Sequence, residues 1–262
     1  MSNLAILAID TATEACSAAL GVDGHVIERS EIAPRRHAEL ILPMIESLLA
    51  EARLSRRDLG GIAVGRGPGA FTGVRLAISV AQGLALGLDL PVVPVSSLAA
   101  LAIDAPDDEA HRGNAILAVI DARMGEIYAG VFQRTTDGLV EAIADESVGP
   151  AQTWIRPRNP DEAAAESGTH SPGLRRDAPP SGLRGVRWSV VGSGWDAHRA
   201  ALAARLPAAP VFADGARYPQ ARAVLRLAAP RFARGEGLAP EAALPVYLRD
   251  KVALTLEEQR AR

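Results

Sequence analysis

Two apolar runs constrain this chain more than any other feature. Leu4–Ile9 ends at Asp10, and Ala115–Ile120 ends at Asp121. Short apolar runs bounded by turn signals read as buried strands. Each is followed by a second strand, Cys16–Val22 in the first case and Gly125–Gln133 in the second. Asp23-Gly24 marks a hairpin into a third strand, His25–Ile32, and Leu139–Ala144 is its counterpart downstream. Helical periods at His37–Arg53, Thr72–Leu88 and Ser96–Ile103 alternate with strands at Gly61–Gly65 and Pro91–Val95. Pro43 falls inside the first helix and bends it or marks its first turns. The later half adds a strand at Trp188–Gly192 and helices at Asp196–Leu206 and Tyr218–Arg234, the last interrupted at Pro230. A β-β-β-α-β-α order that begins twice predicts a two-lobed α/β protein. The first lobe is assigned to residues 1–105. The second takes 106–262, with a C-terminal helix and tail free to pack back on the first. Arg156–Arg187 is rich in Pro, Gly, Ser, Ala and Arg, without sustained apolar period, and reads as a disordered insertion.

Between one strand and one helix lies Gly65-Arg66-Gly67-Pro68-Gly69-Ala70-Phe71-Thr72-Gly73-Val74-Arg75. Glycines there let the backbone pass close to a ligand or to another backbone segment. The following helix, with Thr72 as its expected N-cap, offers N–H groups and the positive end of a dipole to an anion. No lysine follows, and the single lysine of the chain is Lys251, so this is not a P-loop. Asp10-Thr11-Ala12-Thr13 and Asp121-Ala122-Arg123-Met124-Gly125 occupy matching places after the two leading strands. Asp10, Thr11, Gly67, Gly69 and Thr72 are the candidate residues for weak ATP or ADP binding, with Gly192-Ser193-Gly194 as a candidate adenosine wall. The competing reading makes all of these strand-end turns that belong to the fold alone.

Catalytic chemistry finds little support. The histidines, His25, His37, His111, His170 and His198, share no helical spacing with one another, and no Asp/Glu/His cluster has metal-ligand spacing. Four residues after His37, on the same helical face, stands Ile41. The single cysteine, Cys16, lies in a strand and excludes an internal disulfide. No Gly-x-Ser-x-Gly elbow surrounds a serine. No catalytic residue, metal or required cofactor is assigned. The net charge of −3 gives no bulk drive toward nucleic acid or anionic membrane. The N-terminus lacks a basic region, and no stretch approaches the ~18–20 apolar residues of a membrane span. A cytoplasmic protein without membrane attachment is expected.

The two long helices of the first lobe are unusually apolar. Thr72–Leu88 carries apolar or small residues nearly all round, and His37–Leu49 has a broad apolar band. A helix apolar on every side needs cover on every side, and one sheet covers one. Either the intramolecular core is thick, or the helices form a face for a partner subunit. His37, Leu40, Ile41, Met44, Leu48, Val74, Ala77, Ala81 and Leu84 are assigned to that face. Ala77→Arg or Ala81→Arg is expected to break the partnership and spare the fold.

These residues resemble a known family. Leu7-Ala8-Ile9-Asp10-Thr11-Ala12-Thr13 with Cys16-Ser17, His37-Ala38-Glu39 with Leu42-Pro43, and the glycine loop are similar to the bacterial TsaB (YeaZ) proteins. So are Ser96-Ser97-Leu98, Asp121-Ala122-Arg123-Met124-Gly125-Glu126-Ile127-Tyr128 and Pro245-Val246-Tyr247-Leu248-Arg249, so the match runs nearly end to end. Ala70 departs from the serine common there. The resemblance implies an actin-like ATPase fold (the sugar kinase, Hsp70 and actin architecture). It also implies a non-catalytic paralogue of TsaD, the transferase that places threonylcarbamoyl on N6 of adenosine 37 in tRNAs reading ANN codons. TsaD holds its metal with a helical His-x-x-x-His pair, and His37 with Ile41 is the aligned pair here. The implied role is to dock on TsaD, support assembly with the ATPase TsaE, meet tRNA only through the complex, and homodimerise when alone. An active ATPase or phosphotransferase of the same fold is the alternative, and a glycoprotease-like metallopeptidase a weaker one.

Overall fold

The computed structural model describes residues 5–111, 113–154 and 186–249. Apart from positions 186 and 187, the insertion expected at 156–187 lies outside the described residues. Ala5–Asp10 (β1), Ala15–Val22 (β2), His25–Ile32 (β3), Leu59–Gly65 (β4) and Val92–Val95 (β5) form one sheet in the order β3-β2-β1-β4-β5. Ala115–Arg123 (β6), Glu126–Arg134 (β7), Val140–Ala142 (β8), Trp188–Val191 (β10) and Phe212–Asp214 (β11) form the other, in the order β8-β7-β6-β10-β11. Ser147–Pro150 (β9) adds to β7 off this path. Leaving β9 aside, each sheet runs third, second, first, fourth, fifth. The first three strands are antiparallel and the remainder parallel in both. The chain therefore holds the duplicated lobe of the actin-like fold.

Composition explains the placing of the strands. β1 is buried at every residue, and Ala115–Ile120 of β6 likewise, as apolar strands covered on both faces must be. β3 carries Glu28, Arg29 and Glu31 and forms an exposed edge, where charge discourages further pairing. The outer face of the first sheet (Leu7, Ile9, Leu20, Ile62, Val64) is covered by His37–Ala52 (α1) and Phe71–Leu88 (α2). The outer face of the second (Leu117, Val119, Val190) is covered by Ser193–Ala203 (α4), with Trp188, Trp195 and Leu202 in the contact.

The inner faces are covered by exchange. Ser97–Ala102 (α3), from the first half, places Leu98 and Leu101 against Ile116, Ala118 and Ile120 of the second sheet. Ala221–Ala233 (α5), from the second half, places Val224, Leu225 and Ala228 against Ile6, Ala8, Ala63 and Val93 of the first sheet. The side chains of α5 do not cap its own start. Instead the Ser17 hydroxyl on β2 accepts the Ala221 N–H at 2.9 Å, and Glu28 on β3 accepts the Arg222 N–H at 2.9 Å. Gly61 leaves room for Phe232: a Cβ there would lie 2.5 Å from the ring. The C-terminal helix and tail thus belong to the first lobe by packing and to the second half by sequence.

Three local expectations need correction. The N-cap of α2 is Ala70, without a side-chain cap, and Thr72 is an exposed residue of the first turn. Gly192-Ser193-Gly194 is no ligand wall: Gly192 has φ +108° and a Cβ on it would lie 2.2 Å from the Val119 carbonyl, so these glycines seat α4 on β6. β9 and β11 were missed, since three or four residues are too few to show alternation. α2 is the one described helix long and apolar enough to cross a membrane, at mean hydropathy 1.4, and here Ala77, Ile78, Ala81 and Ala85 pack it on a sheet.

Removing the cap supplied by the other lobe should be measurable. Ser17→Ala is expected to cost about 1 kcal/mol, lowering the melting temperature by about 2–4 °C. Thermal unfolding followed by circular dichroism checks it, with Ser147→Ala, exposed on β9, as the control.

Candidate functional site

The two lobes face each other across a cleft of about 620 Å³. One wall is the β1–β2 turn (Ala12, Thr13, Glu14), the loop end Pro68–Ala70 and the first turn of α2 (Phe71, Val74, Arg75). The opposite wall is the end of β6 and its hairpin (Ile120 to Arg123) with Tyr128. His37 and the preceding Pro34 and Arg35 close one side, and the tail residues Val246–Arg249 the other. Polar bonds cross the gap. Arg123 pairs with Glu14, Arg249 donates to the Ala122 carbonyl at 2.9 Å and pairs with Glu126, and Arg66 lies 3.9 Å from Glu146. Arg123 is well exposed, so its pair is worth little, whereas the Arg249–Glu126 and Arg66–Glu146 pairs are partly shielded from solvent. The hairpin tip is held in the left-handed region at Arg123, Met124 and Gly125 (φ 66°, 58° and 81°), and Met124 is exposed.

Of the candidate phosphate residues only Gly69 lines this cleft. Asp10 and Thr11 are fully buried. Asp10 accepts the Ala12 N–H and the Ser97 hydroxyl, each at 2.9 Å, and Thr11 donates to the Gly73 carbonyl at 2.6 Å. The glycines of the loop permit this closure. A Cβ on Gly65 would lie 1.9 Å from an Asp10 oxygen, on Gly69 2.2 Å from the Ala12 carbonyl, and on Gly73 2.0 Å from the Thr11 carbonyl. Ala70 N–H donates to Ala12 O at 2.7 Å, and Ser97 N–H to Gly67 O at 2.9 Å. Where the sequence leaves open a loop that wraps a phosphate, the loop instead wraps the adjoining strand turn. Asp10, Thr11, Gly67 and Gly69 form a packed junction, and Thr72, exposed on the helix, does not join them.

No group of three potential metal ligands occurs among the described residues. His37 begins α1 and lines the cleft, with its Nε2 buried and lacking a hydrogen-bond partner. Ile41, the next residue on that face, is 1% exposed in the core. Cys16 is buried, and burial, with Asp10 and Glu31 nearby, pushes its thiol up to about 11, so it is an inert side chain.

The proposed partner face divides in two. Ile41, Leu48, Val74, Ala77 and Ala81 are 0–2% exposed and belong to the core or its edge. They present nothing to a partner, and an arginine at Ala77 or Ala81 would break the fold rather than an interface. His37, Leu40, Met44 and Leu84 remain partly accessible. With Leu84, the residues Leu76, Val80 and Leu88 form a stripe along α2 at intervals of four, beside Leu40 and Met44 of α1. Leu86 is 74% exposed, and a Cβ on Gly83 or Gly87 would meet nothing. Sequence reasoning mixed the buried and the accessible side of each helix because composition does not tell which side the sheet takes. It also missed Phe71, Arg75 and Tyr247, which cluster at the cleft mouth: Arg75 lies 3.7 Å over the Phe71 ring and donates to the Tyr247 hydroxyl at 2.6 Å. The aromatic and arginine residues of Tyr247-Leu248-Arg249 were the available signal.

Burial raises the Asp10 carboxyl to about 6, against its hydrogen bonds to Ala12 and Ser97, which lower it. A carboxyl that is easier to protonate folded than unfolded contributes stability below its unfolded value. That contribution is lost as pH rises through the folded one. Wild-type stability from this source is expected to fall by about 1 kcal/mol from pH 5 to pH 8. Asp10→Asn, which can keep both hydrogen bonds, should flatten that slope. Urea unfolding of both proteins at the two pH values provides the comparison, and equal slopes would overturn the assignment.

Comparison with known proteins accords with this architecture. Residues 26–255 match the family model "TsaD: tRNA N6-adenosine threonylcarbamoyltransferase". The tRNA threonylcarbamoyladenosine biosynthesis protein TsaB of Escherichia coli (strain K12) is 40% identical over 257 residues, spanning 95% of this chain and 96% of that protein. Its counterpart in Haemophilus influenzae is 50% identical over 128 residues, 49% of this chain and 53% of that one. The structure of YeaZ from Pseudomonas aeruginosa superposes with a TM-score of 0.73 at 39% identity, covering 94% of this chain and all (100%) of that one. By sequence along nearly its whole length and by fold, the chain belongs to the TsaB family of tRNA threonylcarbamoyladenosine biosynthesis proteins.

Proposed function

We propose that this chain is a non-catalytic subunit in the formation of threonylcarbamoyl-N6-adenosine at position 37 of tRNAs reading ANN codons, acting by docking on a TsaD-type transferase. The carrying observation is the apolar stripe Leu76, Val80, Leu84 and Leu88 on α2, flanked by Leu40 and Met44, which is left half-covered by the protomer. Gly83 and Gly87 beside it let another helix approach closely. The partner's chemistry follows from the fold. A paralogous lobe carries the equivalent pair of helices, and two such pairs can pack as a pseudo-symmetric bundle. The same stripe supports a homodimer of the isolated chain, which the transferase would replace. TsaE acts on the assembled pair, tRNA is met through the complex, and the setting is the cytoplasm.

The sealed Asp10 junction supports the non-catalytic reading. A phosphate-bound metal needs an open carboxylate, and Asp10 spends both oxygens on internal partners. The interior place of Ile41 beside His37 supports it equally, because a paired ligand is missing. In this reading the chain requires no cofactor.

Val80→Glu with Leu84→Glu is expected to weaken binding to the transferase by about 100-fold or more, the scale of losing a central apolar contact. The melting temperature of the isolated chain should stay within a few degrees. Co-purification and calorimetry read the affinity, and threonylcarbamoyl transfer by the transferase with and without this chain reads the function. Undiminished binding of the double variant would overturn the docking surface, and undiminished transfer without the chain would overturn the role.

A further inference from the structure

The helix that carries the apolar stripe begins weakly. The N-cap of α2 is Ala70, which offers no side-chain cap, and the first turn holds no acidic residue. Gly73 sits in that turn, where glycine weakens a helix through its backbone freedom. It is nonetheless required there, because a Cβ on it would lie 2.0 Å from the Thr11 carbonyl. Phe71, Thr72 and Arg75 face solvent. A helix start with no cap of its own and an obligatory glycine depends on support from another segment.

That support comes from the tail. Ala243 is buried in the core beside α2, and from there to Arg249 the chain runs without helix or strand. It is pinned at successive points. Gln82 of α2 donates to the Ala243 carbonyl at 3.1 Å, and the Val246 N–H donates to the Arg66 carbonyl at 2.9 Å. Tyr247 then packs on Phe71, the first residue of α2, with ring centroids 5.4 Å apart. Arg75, one turn on and on the same face, lies 3.7 Å over the Phe71 ring and donates to the Tyr247 hydroxyl at 2.6 Å. The three side chains clasp the uncapped turn. Two residues further, Arg249 crosses to the second lobe, donating to the Ala122 carbonyl at 2.9 Å and pairing with Glu126.

The tail is held lightly. Leu244 is 63% exposed and Tyr247 44%. The Arg249 Nε is buried with no partner, which opposes the bonds made by the same guanidinium. Segments with few buried apolar contacts open locally at far lower cost than the whole fold. We infer that residues 244–249 form a releasable strap that orders the start of α2, with its far end latched to the β6–β7 hairpin, so that the hairpin and the helix start are coupled. Tyr247 and Arg249 are positioning residues in this device. Its consequence for partnership rests on α2 being the docking helix: affinity falls with the fraction of chains whose helix start is ordered. The ordering itself does not rest on that reading.

The test is amide hydrogen exchange on the full-length chain alone, followed by NMR. In Tyr247→Ala and in Arg249→Ala, the amides of residues 74–77 are expected to exchange about tenfold faster or more, while those of residues 81–85 stay near wild type. Tyr247→Phe, which keeps the ring and loses the hydroxyl, and Glu126→Gln, which weakens the latch, should each fall between wild type and the matching alanine variant. Unchanged exchange at residues 74–77 would overturn the strap. Faster exchange in the Tyr247 variants alone would overturn the latch to the hairpin. Should an alanine variant unfold throughout, the two conservative variants decide by the same criterion. Calorimetry then reads the affinity of Arg249→Ala for the transferase, where a loss of about threefold or more is expected. Faster exchange with undiminished affinity would overturn the link to docking, whereas undiminished binding by the α2 stripe variant would leave the exchange result standing.

Discussion

The structure depends on an exchange of helices between its two halves. α3 leaves the first half to cover Ile116, Ala118 and Ile120, and α5 leaves the second half to cover Ile6, Ala8 and Val93. Without that exchange each sheet would expose an apolar face that no element of its own half is placed to bury, and hydrophobic burial dominates the stability of a domain this size. The caps follow the same logic. Ser17 and Glu28 complete the first turn of a helix whose bonded residues lie 204 and 194 positions later, so α5 is anchored by hydrogen bonds as well as by packing.

At the first lobe's strand ends the glycine loop and the β1–β2 turn form a closed junction. The glycine loop passes so near the β1–β2 turn that three of its glycines admit no side chain, and the hydroxyl of Thr11 and carboxyl of Asp10 turn inward to satisfy each other's neighbours. What remains open lies further out, at the mouth, where arginines and aromatic rings replace the carboxylate. The tail builds this mouth. Ala243 is buried beside α2, Gln82 donates to its carbonyl at 3.1 Å, Val246 N–H donates to Arg66 O at 2.9 Å, and Tyr247 and Arg249 then reach Arg75 and the second lobe. One strap thereby touches the α2 helix, the glycine loop and the β6–β7 hairpin.

Much of the fold was legible because its signals are local. The Asp-ended apolar runs, the Asp23-Gly24 turn (both residues at positive φ) and the period of α1 and α2 depend on neighbours in sequence. The duplicated order was therefore readable, and sheet pairing reproduces it for every strand but the last of the second sheet. Short β9 and β11 were not readable, because their pairing partners supply the pattern that their own length cannot. Most of the candidate nucleotide residues do form a cluster in space, though Thr72 stands outside it on the surface of α2. Asp10, Thr11, Gly69 and Gly73 do meet, and they meet each other. The interface residues split on burial, with Leu40, Met44 and Leu84 accessible and Ala77 and Ala81 sealed.

By itself the sequence determined the two-fold repeat of strands, the apolar Ile41 four residues after His37, and the uniform apolarity of α2, since residue identity and spacing carry all three. Only the tertiary structure decided which face of α2 meets the sheet, that the glycine loop packs on the backbone of the β1–β2 turn, and that Phe71, Arg75 and Tyr247 come together across 172 positions of chain. These are outcomes of packing between distant segments, and glycine, alanine and arginine permit several such outcomes until the neighbours that exclude the others are in place.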